Sequence, residues 1–219
     1  MGGIVMDNDI QKVDLSPNLI WKANYSKDVS RLQERASNFL SKITDHGEVE
    51  REGGITSTGH TDAPHLWPEM IEFCNDIEPY VKKVLNAWEL NYNWFGITKS
   101  WVNKHNANQW TDTHDHGDAH MVMSFYLKQP QKGGNLEFTN INKHLWGSYP
   151  RHRHGKTKLH EYYTEVEAKQ GDIIFFPGWL SHRSQPNQSN QERIVMGLNI
   201  HAELQRPEQL SNEHIEKNI

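Results

Sequence analysis

The chain holds 219 residues with a formal charge of -5 and 35% hydrophobic residues, which suits one domain with a full core and gives no reason to expect large nucleic acids as partners. Its one cysteine, Cys74, excludes an internal disulfide and fits a reducing compartment. No run reads as a signal peptide or reaches membrane-spanning length, so a soluble, cytoplasmic protein with no membrane partner is expected.

Residues 1–25 are mixed, with strand character around Ile10–Leu15 and at Leu19–Trp21. Apolar residues at Val29, Leu32, Ala36, Phe39, Leu40 and Ile43 then predict an amphipathic helix over 27–43, with Ser26 as its N-cap. The Gly-, Ser- and Thr-rich stretch 47–61 reads as a loop. Helical spacing returns from Met70 to Trp88. Pro68 suits its start, while Pro79 is expected to break or kink it into two short helices. After Asn91 come short β-prone runs: Trp94–Asn103, Met121–Lys128, Leu136–Thr139, Tyr162–Ala168, Asp172–Phe176 and Arg193–His201. Turn signals such as Gly133-Gly134 and Pro177-Gly178 separate them. The pattern predicts a mainly β jelly roll buttressed by a helical first half. It divides one domain into support (1–93), a β core (94–204) and a polar tail (205–219).

Fourteen histidines are far above ordinary usage, and histidine is the commonest metal ligand. The densest group is THDHGDAH, Thr113 to His120. If it is extended, His114, His116 and Asp118 share one face. A further ligand is expected from His182, which follows the apolar run Ile173–Phe176 and the Pro177-Gly178 turn. Two assignments stand open. His116 and Asp118 with His182 give the two-histidine, one-carboxylate pattern of non-haem Fe(II) oxygenases. His114 and His116 with His182 give three imidazoles, which equally suit zinc.

In Arg193–His201 the even positions Ile194, Met196, Leu198 and Ile200 are all apolar. The odd positions carry Arg193, Gly197 and Asn199. One face is therefore expected in a core and the other along a polar cavity, where Arg193 clamps a carboxylate through its planar fork. Small Gly197 is expected to leave room for a ligand, and Tyr126 to offer that carboxylate a hydroxyl.

With these residues in place, the chain resembles the 2-oxoglutarate/Fe(II)-dependent oxygenase superfamily, in particular a branch of small bacterial and phage members. The matching stretches are Trp101-Val102-Asn103, His114-Asp115-His116, Ser124 to Leu127, Gly134, Gly171 to Pro177, Trp179 to His182, Glu192-Arg193-Ile194 and Asn199. The resemblance implies a cupin-like double-stranded β-helix. It also implies iron held by His182 with His116 and either His114 or Asp118, and cosubstrate contacts at Arg193, Tyr126, Asn103 and Asn199. The implied reaction consumes 2-oxoglutarate and dioxygen, releases succinate and CO2, and hydroxylates a small molecule or peptide. The competing reading is a cupin-like module holding zinc or manganese without turnover. The segment 140–163, with Trp146, Arg151, Arg153, Lys156 and Lys158, reads as a solvated loop or as a lid over an anionic substrate.

Overall fold

The computed structural model describes residues 19–43, 54–141 and 162–205. The strand expected near Ile10, most of the basic segment 140–163 and nearly all of the polar tail lie outside them.

Strand β1 spans Trp21–Asn24 and helix α1 spans Ser30–Leu40. The predicted cap is replaced by a neighbour: Asp28 Oδ1 accepts Ser30 N–H at 2.9 Å, and Ser26 plays no such part. A carboxylate there satisfies an otherwise orphaned amide and favours the positive end of the helix dipole. Strand β2, Ile55–Thr56, lies inside the stretch expected to be loop. A single turn of 3-10 helix at Pro64–Leu66 leads into helix α2, Met70–Ala87. Contrary to expectation, α2 runs unbroken through Pro79. Pro79 and Asn75, whose carbonyl the proline ring leaves without its helical donor, both lie on the exposed face. Water can satisfy that carbonyl, while Phe73, Ile77, Val81, Val84 and Leu85 stay buried across the interruption.

The strands follow: β3 Trp94–His105, β4 Met121–Lys128, β5 Leu136–Thr139, β6 Tyr163–Val166, β7 Asp172–Phe176, β8 His182–Ser184 and β9 Arg193–Glu203. They form a six-stranded sheet, β1-β7-β4-β9-β3-β2, and a three-stranded sheet, β6-β5-β8. Every pairing is antiparallel.

The large sheet has two buried faces of opposite character. Val102, Met121, Met123, Phe125, Ile173, Phe175, Met196 and Leu198 pack with α1 and α2 in one core. Val122, Tyr126, Ile174 and Phe176 turn the other way and meet Leu136 and Phe138 of the small sheet. The predicted alternation along β9 is thus realised, its even positions on the helices and its odd positions between the sheets.

Phe125 is fully buried, and its ring stacks on Phe73 of α2 with centroids 4.3 Å apart. It joins the β core to the helical support. Phe125→Ala is expected to cost about 3–5 kcal/mol, read as a lower urea midpoint with an unchanged slope.

Candidate active site

The space between the sheets is where the sequence-predicted ligands gather. After β7, the turn at Pro177, closed by Leu180 N–H to Pro177 O at 3.0 Å, delivers the chain into β8. His182 then pairs with His114 as an isolated antiparallel bridge. His182 N–H donates to His114 O at 2.9 Å and His114 N–H to His182 O at 3.0 Å. Two residues on, His116 N–H donates to Gly178 O at 2.9 Å. Three backbone hydrogen bonds therefore set the positions of three imidazoles.

One ring nitrogen from each of His114, His116 and His182 lies within 4.8 Å of the others. His116 Nε2 and His182 Nε2 face each other at 3.3 Å, and their rings are near parallel at 8°. His114 Nδ1 sits 2.7 Å from Asp112 O, and His182 Nδ1 sits 2.9 Å from Leu180 O. A carbonyl only accepts, so both Nδ1 atoms carry the hydrogen and both Nε2 lone pairs are left for the cluster. No carboxylate joins this group among the described residues. Segment 114–118 is not a regular strand, because the chain turns at Gly117 and Asp118 and leaves Asp118 exposed.

The cluster borders a cavity of about 50 Å³ whose wall includes Trp101, Asn103, Tyr126, Ser184 and Arg193. Arg193 is 1% exposed. Its Nη1 donates to Gly133 O at 2.6 Å and Gln185 O at 2.9 Å, and its Nη2 donates to Ser184 Oγ at 2.8 Å. Gly134, at φ +83°, lets the β4–β5 turn approach this guanidinium: a Cβ there would lie 2.6 Å from Gln185 O and 2.9 Å from Arg193 Nη1.

Residues 99–199 match the family model described as 2OG-Fe(II) oxygenase. That stretch is thus similar to the 2-oxoglutarate/Fe(II)-dependent oxygenase superfamily. Solved structures share its double-stranded β-helix. A prolyl hydroxylase from Trichoplax adhaerens, in complex with a hypoxia inducible factor peptide fragment, aligns at TM-score 0.57 and 16% identity over 84% of each chain. The viral collagen prolyl hydroxylase of Paramecium Bursaria Chlorella virus-1, in its 2OG complex, aligns at 0.54 and 17% over 84% of this chain and 97% of that one. A Pseudomonas putida prolyl-4-hydroxylase aligns at 0.54 and 12% over 83% and 92%. No curated protein matches the sequence.

The matching family uses Fe(II) and 2-oxoglutarate, and the residues present fit both. Imidazole nitrogen is a suitable donor for iron. A buried guanidinium, with a serine and a tyrosine hydroxyl near it, suits a carboxylate. Tyr126 is 2% exposed, and burial pushes its hydroxyl up to about 12, only partly opposed by Arg193, so it stays a donor at neutral pH. Asn103 lines the same cavity, with its Oδ1 accepting from Thr56 Oγ1 at 2.7 Å.

Two expectations change here. Gly197 does not leave open room, because a Cβ there would lie 2.3 Å from the Trp101 ring. The indole fills that space and stacks on His116 with centroids 5.1 Å apart. Asn199 faces the same way as Arg193 but is absent from the cavity wall, and it stands beside His116 instead. Sequence reading gave no role to Ser184 or to the Trp101 ring. Ser184 lies two residues from His182 on a strand too short to show as a periodic run.

Burial, followed by repulsion from His114 and Lys99, pushes His116 down to about 4, with Asp115 opposing. Burial, then His114 and His116, holds His182 well below the ordinary imidazole range. Both are therefore neutral at pH 7 and ready to bind a cation without releasing protons. The unfolded chain takes up these protons near pH 6.5 and the folded chain does not. Stability of the metal-free protein is therefore full above about pH 6.5 and is lost as pH falls toward about 4. Thermal melts across that window should show a falling Tm, and replacing His116 by Gln should flatten the slope.

Proposed function

We propose that the chain is a hydroxylase whose iron is held by His114, His116 and His182. In this reading Arg193, with Tyr126, binds the far carboxylate of 2-oxoglutarate. The observation that carries it is the spacing on β8. His182 and Ser184 share one strand face, so their Cα atoms are about 7 Å apart. The first belongs to the imidazole cluster, and the second accepts Arg193 Nη2 at 2.8 Å. A five-carbon diacid is of the length that reaches from one to the other, keto acid end at the nitrogens and distal carboxylate at the guanidinium.

Bound iron supplies the oxidising power, coupling decarboxylation of 2-oxoglutarate to oxygenation of the prime substrate. The chain supplies the rest. Arg193 orients the diacid by a charge-assisted fork and Tyr126 donates its hydroxyl hydrogen. Asn103 adds a polar contact along the wall. Leu136 and Val195 line the same cavity and keep it dry. Exposed His114 marks the side from which a small molecule or peptide approaches. Side chains fill all three ligand places, so no vacancy is left for a halide. The prolyl hydroxylases among the structural neighbours support hydroxylation as the outcome.

Anaerobic titration of metal-free protein with Fe(II) and then 2-oxoglutarate is expected to give a weak visible charge-transfer band that requires both. Arg193→Met should keep metal affinity within about threefold of wild type. Its 2-oxoglutarate Kd should rise roughly 100-fold, the loss of two charged hydrogen bonds at about 1.5 kcal/mol each. Arg193→Lys, which keeps the charge but not the fork, should fall between. Metal binding with no band at any 2-oxoglutarate concentration would overturn the oxygenase reading and leave a cupin-like metal module.

A further inference from the structure

The three histidines are not supported alike. For His114 and His182 a backbone carbonyl fixes Nδ1 as the N–H and so aims Nε2 at the cluster. His116 also presents Nε2 to the cluster, 3.3 Å from His182 Nε2, so a bound cation requires its Nδ1 to carry the hydrogen as well. Among the described residues no carbonyl is bonded to that nitrogen. The structure does show, beside His116, an amide oxygen in want of a well-placed donor. Asn199 is 7% exposed; its buried Oδ1 makes no hydrogen bond of full geometry among the described residues, and a looser one to His116 opposes the lowering of that imidazole by burial.

The placement of Asn199 follows from register. On β9 it is two residues from Gly197, the position covered by the Trp101 indole, and Gly197 pairs with Trp101 across β3. Trp101 stacks on the His116 ring at 23°. A residue one inward-facing step further along β9 therefore stands at the rim of the imidazole whose face the indole covers. Asn199 pairs with Val122 of β4 and Lys99 of β3, six residues along β9 from Arg193. That puts it at the metal end of the site rather than the carboxylate end.

We infer that Asn199 is a positioning residue for the metal centre: its Oδ1 accepts the Nδ1–H of His116, while Trp101 holds the face of the same ring. This rests on the three-histidine reading above. It departs from the expectation that Asn199 touches the cosubstrate. A buried acceptor without a well-formed bond is costly, and the tautomer that ligation demands provides the donor. Metal binding and satisfaction of Asn199 thus reinforce each other, and the third histidine receives from a side chain what the other two receive from the backbone.

The test uses Co(II) as probe on the full chain. Affinity is measured by competition with a chromophoric chelator, and ring N–H signals are followed by paramagnetic NMR in water. Wild type is expected to show three shifted, exchangeable histidine N–H signals. Asn199→Ala should weaken Co(II) binding by roughly 10–100-fold and broaden one of the three signals through solvent exchange. Asn199→Asp, which keeps an acceptor at the same place, should restore both affinity and signal. A purely structural role would lower the Tm of the metal-free variants without singling out one ring N–H. If Asn199→Ala fails to fold, Asn199→Ser, which keeps a small polar group, is read in its place against Asn199→Asp. Unchanged affinity and three sharp signals in the alanine or serine variant would overturn this inference alone. Failure of wild type to bind Co(II) through three histidines would overturn the three-histidine centre with it.

Discussion

Two backbone hydrogen bonds between His114 and His182 hold the site together. Through them the middle of the long β3–β4 connection and the start of a three-residue strand become one antiparallel pair. In such a pair the side chains fall on one side, and here the two ring centroids are 4.4 Å apart. The same β8 residue is paired on its other flank with Phe138 of β5, so the bridge is continuous with the small sheet. His116 follows by its own amide bond to Gly178. Ligand geometry is therefore fixed by main-chain bonds, which are stiffer than the side chains they carry. That is the preorganisation a metal site needs.

The large sheet supplies the second condition, a wall buried on both faces yet chemically divided. Its helix-facing side is uniformly apolar and is closed by α1 and α2. Its other side carries Trp101, Asn103, Tyr126, Ser124 and Arg193, and the small sheet closes over them. A one-residue slip of β9 would put Arg193 among the helices and Met196 in the cavity, so register is held by two incompatible solvation demands at once. The helical support is for this reason part of the active-site design, because it makes the apolar face of β9 costly to misplace.

Much of this was legible in sequence. The alternation in Arg193–His201 located the two faces, and the segments Met121–Lys128, Leu136–Thr139 and Asp172–Phe176 coincide with observed strands. Periodicity works there because each strand buries both faces against different partners. It failed where local pattern is not what decides. Strands β2 and β8, of two and three residues, are strands only because a partner pairs with them. Pro79 did not break α2 because the core on the opposite face outweighs one lost bond on the solvent side. Asp118 shares parity with His114 and His116 on paper. The turn at Gly117 removes the extended backbone on which parity depends. The space at Gly197 could not be read as filled, since the residue that fills it comes from a neighbouring strand.

Charge accounts for why such a site would select a dicarboxylate. His116 and His182 are neutral at pH 7, since a proton on either would be a buried charge beside two further imidazoles. Arg193 is therefore a permanent cation at the cavity wall, bonded to two carbonyls and a hydroxyl. No carboxylate is among the described residues that line the wall. A divalent ion among the three imidazoles then adds two positive charges, with no carboxylate in the cluster among the described residues and only exposed Asp115 acting on it, and isolated buried charge is strongly disfavoured. A dianion with one carboxylate at each end balances both centres at once, whereas a monoacid leaves one of them exposed. In a site built this way the metal and the diacid each lower the cost of binding the other. Their affinities would then be coupled by electrostatics, with no need for the chain to move.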